Sequence, residues 1–225
     1  MKKLKRLSFL LIVVAALLLT PALAAQEPTE TVDEIGAARL LAAALERGET
    51  SVTVSVTSTF DYELCLEYTH MLYPEYYGMR WTQDVRKQTA TITVTMAEPE
   101  KHEQAWQEAQ RIAAGFQQLY TTETDLLRAF HDYIIRNCEY DYDTFLNMSI
   151  AGPEPFSAYG ALLGGKAVCD GYSSAFSMLC RAADIPCLYI GSTELNHSWN
   201  AVFTGGQVYF IDVTYDDNDD PAGTV

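Results

Sequence analysis

Two glycines, Gly205-Gly206, separate two strand-like runs over 197–203 and 207–214. A glycine pair between such runs is a hairpin signal, because tight hairpin turns need positive φ at their central residues. With a loop of two or four residues, Asp212 falls opposite Trp199 and diagonal to His197, so both side chains reach one sheet face. A loop of three reverses the parity and separates them. Upstream, helical spacing begins at Cys169, with Tyr172, Ala175, Phe176, Leu179, Ala182 and Ala183 on one face. A thiol at a helix start meets unpaired backbone N–H groups, which lower its pKa. Gly164, Gly165 and Gly171 permit tight turns and close backbone approach around the sulfur. A nucleophile, a base and an orienting carboxylate are what thiol-based acyl transfer needs, and Cys169, His197 and Asp212 supply them. A buried structural cysteine is the plain alternative, but it leaves the glycines and the His/Asp register without a reason.

At the other end, Lys2, Lys3, Lys5 and Arg6 precede an apolar run over 9–19, and Ala22-Leu23-Ala24 is a small-x-small cleavage pattern. That predicts a secretory signal peptide over 1–25, cut near Ala24/Ala25, with an uncleaved anchor as the alternative. The expected location is therefore secreted or cell-envelope associated, with no stable membrane insertion after cleavage. No cysteine follows the run to carry a lipid. Losing those four cations takes the formal net charge from −15 to −19. A surface this acidic argues against nucleic acid and anionic lipid as partners. The five cysteines are an odd count, which leaves at least one free thiol in a secreted chain. Cys180 and Cys187 flank a short turn, where pairing and two buried thiols both remain open. Neither the cysteines nor the four scattered histidines have metal-ligand spacing, so no metal or cofactor is expected.

Between these ends the pattern reads as α+β. A capping box at Thr31-Val-Asp-Glu34 opens a helix whose Ile35, Ala38, Leu41 and Leu45 share a face up to Gly48. Strict alternation predicts a strand over 51–57, followed by a helix over 58–71 and strands over 79–85 and 89–96. Tyr73, Tyr76, Tyr77 and Trp81 either line a substrate groove or stabilise this unit. His70 and His102 read as surface or packing residues. Pro99 and Glu100 open a long helix with Trp106, Ala109, Ala113, Phe116 and Tyr120 inward. Thr122-Glu-Thr-Asp125 caps the next, whose inward residues include Phe130 and Ile134; His131 faces away from that stripe. Residues 138–155 show no periodicity and are a candidate lid. The expected organisation is an N-terminal α+β accessory region over 26–118 and a catalytic core over 119–225. Asp216-Asp-Asn-Asp-Asp220 fails as a calcium loop, because Pro221 occupies the required glycine position.

Three segments, from Ala158-Tyr-Gly-Ala-Leu to Cys169-Asp-Gly-Tyr-Ser-Ser-Ala-Phe, then Asn196-His-Ser-Trp-Asn200, then Phe210-Ile-Asp-Val-Thr-Tyr215, resemble the transglutaminase-like superfamily, especially its secreted bacterial members. The resemblance covers about residues 122–217. It implies a papain-like core in which the nucleophile's helix packs on an antiparallel sheet, with Cys169 as nucleophile, His197 as base and Asp212 as orienting acid. Members commonly continue past the Asp-Val-Thr-Tyr segment, whereas this sequence ends at Val225, from which a shortened cover or cleft is expected. The implied reaction is acyl transfer from an amide of a peptide or protein substrate, envelope components included. Tyr159 and Trp199 are candidates for positioning that substrate. Hydrolysis is favoured, since an open cleft admits water to an acyl-thioester. A glutamine–amine transferase and a catalytically silent binding module are the alternatives.

Overall fold

The computed structural model describes residues 31–147 and 151–217, and the expected signal peptide lies outside them. The chain divides into two compact units at Ala97/Glu98.

In the first unit, helix α1 (Glu34–Glu46) starts one residue after Asp33, whose side chain accepts the Gly36 N–H at 2.8 Å. The expected cap at Thr31 is displaced because that residue sits in a parallel bridge to Ser55, so its backbone is extended and tied to a strand. Strand β1 (Ser51–Ser55), helix α2 (Tyr62–Leu72), strand β2 (Tyr76–Asp84) and strand β3 (Thr89–Met96) follow. Helix α2 begins later than position 58 because Asp61 is its cap, accepting from the Glu63 and Leu64 N–H groups. The sheet is antiparallel in the order β1-β3-β2. Val54, Ala90, Ile92 and Val94 are buried, and so are Ala38, Leu41 and Leu45 of α1. Burying side chains of the Leu41 and Ile92 kind stabilises by about 1.5–3 kcal/mol each. Tyr73 and Tyr76 are buried, the Tyr76 hydroxyl donates to Leu66 O at 2.9 Å, and Trp81 stacks on Tyr62 at 4.7 Å. These three aromatics therefore pack within their own unit, with Trp81 partly exposed.

The second unit opens with helix α3 (Pro99–Gln117). Ala105, Ala109, Ile112 and Ala113 of α3 belong to one apolar core with Phe130, Tyr172, Phe176 and Leu179, so α3 packs with the second unit rather than closing the first. Its alanines let a neighbouring helix approach closely. Tyr120, expected inward, lies past the end of α3 and is 39% exposed. Helix α4 (Glu123–Asn137) is capped by Thr122, which accepts the Asp125 N–H at 3.1 Å.

The aperiodic stretch after α4 carries structure of its own. Strand β4 (Glu139–Tyr140) pairs in parallel with strand β5 (Lys166–Ala167). Between them, helix α5 (Tyr142–Leu146) is capped by Asp141, which accepts the Thr144 N–H at 3.0 Å. A two-residue parallel pairing is non-local and leaves no period to read in the sequence.

Helix α6 (Cys169–Ala182) is the centre of this unit: α3 and α4 pack against it, and so do strands β6 (Cys187–Ser192) and β7 (His197–Thr204). Gly171 is obligatory there, because a Cβ would fall 2.6 Å from both the Pro155 carbonyl oxygen and the Ala167 Cβ. Strand β8 (Gln207–Ile211) completes an antiparallel sheet in the order β6-β7-β8. Gly205 and Gly206 have φ of 58° and 78° and form a two-residue turn that pairs Thr204 with Gln207. Positive φ at both positions matches the strand twist, which is why glycine occupies both.

Candidate active site

The register carries Asp212 to His197. Asn200 pairs with Ile211, so one step further Asp212 comes level with Trp199. His197 Nε2 lies 2.7 Å from Asp212 Oδ2, and the Trp199 ring stacks beside the imidazole at 5.9 Å. The other carboxylate oxygen, Oδ1, accepts the Tyr215 N–H at 3.0 Å. Asp212 is thus held by its own chain just beyond the end of β8 and presents one oxygen to the ring. A carboxylate there accepts from Nε2–H, which leaves Nδ1 as the basic nitrogen.

Cys169 stands at the first residue of α6 and is 7% exposed. Burial pushes its thiol pKa up, and the neighbouring Ser198 hydroxyl and backbone groups only partly oppose the rise. The helix start was expected to favour thiolate; desolvation outweighs it, because a nearly enclosed sulfur loses more hydration than a few amide dipoles return. The Ser198 hydroxyl is buried with no partner at ordinary hydrogen-bond geometry, so it acts on the thiol as a nearby dipole rather than through a formed bond. Among the described residues no hydrogen bond joins Cys169 to His197. The thiol's neighbour on β7 is Ser198, and His197 is the next residue along. Such contacts commonly tighten only when substrate binds.

Beneath the sulfur, α6 is buried nearly all round, including Ser173, Ser174 and Ser177, whose types suggest an exposed face. Asn200 explains part of this. Its Nδ2 donates to Ser173 O at 3.0 Å and to Ser177 Oγ at 2.8 Å, fixing β7 against the helix that bears the thiol.

Trp199 is part of this cluster. Tyr159 has its described contacts elsewhere, with Lys101 Nζ 5.3 Å from its ring centroid and the ring packed against the core. His131 lies 3.2 Å from Asp216, and the Tyr172 hydroxyl 2.5 Å from the Asp217 carboxylate; together they secure the segment after Asp212. All five cysteines are free thiols, Cys180 and Cys187 included.

Three residues that sequence reasoning missed surround Cys169. Tyr189 on β6 donates to Asp170 Oδ1 at 2.5 Å, and Asp170 immediately follows the thiol. Tyr140 on β4 packs its ring 6.3 Å from that of Tyr172, one turn beyond Cys169. Its hydroxyl has no hydrogen-bond partner among the described residues, and its pKa is raised by burial first and by the Cys169 charge second. Ser198 is the third. Tyr140 lay inside the aperiodic 138–155 stretch and Ser198 inside the quoted 196–200 segment, but neither position carried a signal of its own.

Residues 110–214 match the Transglutaminase-like superfamily. The mouse and human proteins named Kyphoscoliosis peptidase are 26% and 27% identical over 108 residues, which is 42% of this chain and 16% of each relative's length. Among solved structures, a putative cysteine protease from Cytophaga hutchinsonii is 15% identical over 63% of this chain and 62% of its own, with a TM-score of 0.39. A structure described as a TGase is 14% identical over 73% of this chain and 50% of its own, also with a TM-score of 0.39. The sequence match, spanning α4, the Cys169 helix and the His197–Asp212 strands, makes residues 110–214 a transglutaminase-like superfamily core with a mixed helix-and-sheet fold.

Proposed function

We propose that this protein is a thiol-dependent amide hydrolase acting on peptide or protein substrates, exported to the cell envelope or beyond. The observation that carries the reading is the 2.7 Å contact between His197 and Asp212, formed one residue from the Ser198 that abuts the Cys169 thiol. Cys169 Sγ attacks the amide carbonyl carbon, and its proton passes to His197 Nδ1. The C–N bond then breaks as His197 returns that proton to the leaving amine or ammonia, giving an acyl-thioester. Water attacks the thioester carbon as His197 takes its proton, and the C–S bond breaks as that proton returns to the sulfur, releasing the acid and the free thiol. Asp212 fixes the tautomer and stabilises the imidazolium.

Because burial holds the thiol protonated at neutral pH, His197 acts as a general base during attack instead of resting beside a preformed thiolate. The Cys169 N–H, among the first-turn amides that lack an intrahelical acceptor, is one donor to the developing oxyanion. The unpartnered Tyr140 hydroxyl is the side-chain donor beside it. Trp199 shields the imidazole from water and borders the path of the substrate.

Hydrolysis is preferred over amine transfer because the relatives matched over 108 residues are both named peptidases. A glutamine-containing peptide with and without a millimolar primary amine tests this. The free acid is expected to dominate in both, and Cys169→Ala is expected to abolish turnover with a thermal midpoint close to wild type. A predominant amine adduct would make the protein a transferase. An active Cys169→Ala variant would remove the thiol from the chemistry.

A further inference from the structure

Asp170 places a carboxylate one residue from the sulfur, on the same first turn of α6. A negative charge there opposes thiolate formation, and it adds to the rise that burial already imposes on Cys169. The structure holds this carboxylate in a specific way. Tyr189 is only 6% exposed, and its hydroxyl donates to Asp170 Oδ1 at 2.5 Å. Gly191 lies two residues along β6 on the same sheet face. A Cβ at Gly191 would stand 3.3 Å from Tyr189 Cε1, so the tyrosine ring lies over the space that a side chain would need. Gly191 pairs with Ser198, the residue against the thiol. Tyr189, Gly191, Ser198 and Asp170 thus form one contiguous patch around the sulfur, built from β6, β7 and α6.

We infer that Tyr189 is a positioning residue for this thiol: its hydroxyl neutralises part of the Asp170 charge and holds the carboxylate toward β6, so that Cys169 ionises more readily during attack. The inference rests on Cys169 being the nucleophile, and it adds a component outside the Cys/His/Asp set. The titratable groups that bear on the thiol are Asp170 on its own helix, Tyr189 from β6 and Tyr140 from β4, and the His197–Asp212 pair stands one residue along β7 from Ser198. Of these, Asp170 is the anion nearest in sequence, and Tyr189 is the one that donates to it. The Asp170–Tyr189 contact also fits the burial of Tyr189, since an enclosed phenol needs a partner for its hydroxyl.

The test is the pH dependence of iodoacetamide alkylation at Cys169 in the full chain, read by mass spectrometry of the peptide that contains it. Tyr189→Phe keeps the ring and removes the donor. It is expected to move the alkylation midpoint upward by about half to one pH unit and to slow labelling at pH 7 about three- to ten-fold. Asp170→Asn is expected to move the midpoint downward. In the double variant the profile should lie close to that of Asp170→Asn alone, because Tyr189 acts on the thiol chiefly through the carboxylate. An unshifted Tyr189→Phe profile, or single shifts that simply add in the double variant, would overturn the inference. A wild-type Cys169 that fails to alkylate in the folded chain would instead overturn the nucleophile reading, and the pair with it.

Discussion

The described residues contain two small antiparallel sheets, each with a central strand, and they put the same backbone pattern to different ends. In β1-β3-β2, the cross-strand partners on the face opposite the core are hydroxyls, with Thr53 and Thr91 joined at 2.9 Å and Ser51 and Thr93 at 3.0 Å. In β6-β7-β8, the corresponding device is the His197–Asp212 contact at 2.7 Å, with Trp199 stacked on the ring. Register alone therefore does not make a site. The second sheet differs in three respects. Its turn delivers a carboxylate just past the end of β8, its central strand carries an imidazole, and the helix packed on it begins with a thiol. The first sheet is covered by α1, which carries no nucleophile at its start.

The largest expected effect breaks the second sheet's device and leaves the first intact. Asp212→Asn should fold normally and lower turnover by about two to four orders of magnitude, since an amide in that place favours the wrong imidazole tautomer. Steady-state kinetics alongside circular dichroism would check it. Full activity in a folded variant would remove Asp212 from the machinery.

A smaller pair of effects sharpens the comparison through stability. Asn200→Ala deletes a buried donor and leaves the Ser173 carbonyl and Ser177 hydroxyl without it, which should cost about 1–3 kcal/mol. Thr53→Ala removes one member of an exposed hydroxyl pair in the first sheet and should cost about 0.2–1 kcal/mol. Urea titrations of both variants give the ordering. Equal losses would mean that Asn200 does not anchor α6 to β7.

Much of this second sheet was legible in the sequence, for a local reason. Two glycines at a turn constrain φ, φ constrains the loop length, and loop length fixes which residues face each other. The cap at Thr122 was legible on the same grounds. What escaped depends on elements that meet only after folding. Tyr189 and Ser198 approach Cys169 because α6 lies across β6 and β7, and no spacing within one strand reveals that. The serines at 173, 174 and 177 suggest a wet face, yet all three are buried, and Asn200 from another strand bonds the Ser173 carbonyl and the Ser177 hydroxyl. Thr31 looked like a cap because its pairing with Ser55 is also non-local. The thiol pKa was expected to fall for a sound reason, the helix terminus, but its sign was decided by burial, which a sequence does not show.

In the proposed mechanism Cys169 is a nucleophile served by His197; burial pushes its thiol up, as it pushes Cys65 up to about 11 and Cys138 to about 12. The most direct test of that role is competitive iodoacetamide labelling of the native chain near pH 7, with the modified cysteines mapped by mass spectrometry in wild type and in His197→Ala. Cys169 is expected to label well ahead of Cys65 and Cys138 in wild type, and to lose that lead when His197 is removed. Labelling of Cys169 at the same rate in both proteins, or no faster than Cys65, would contradict it.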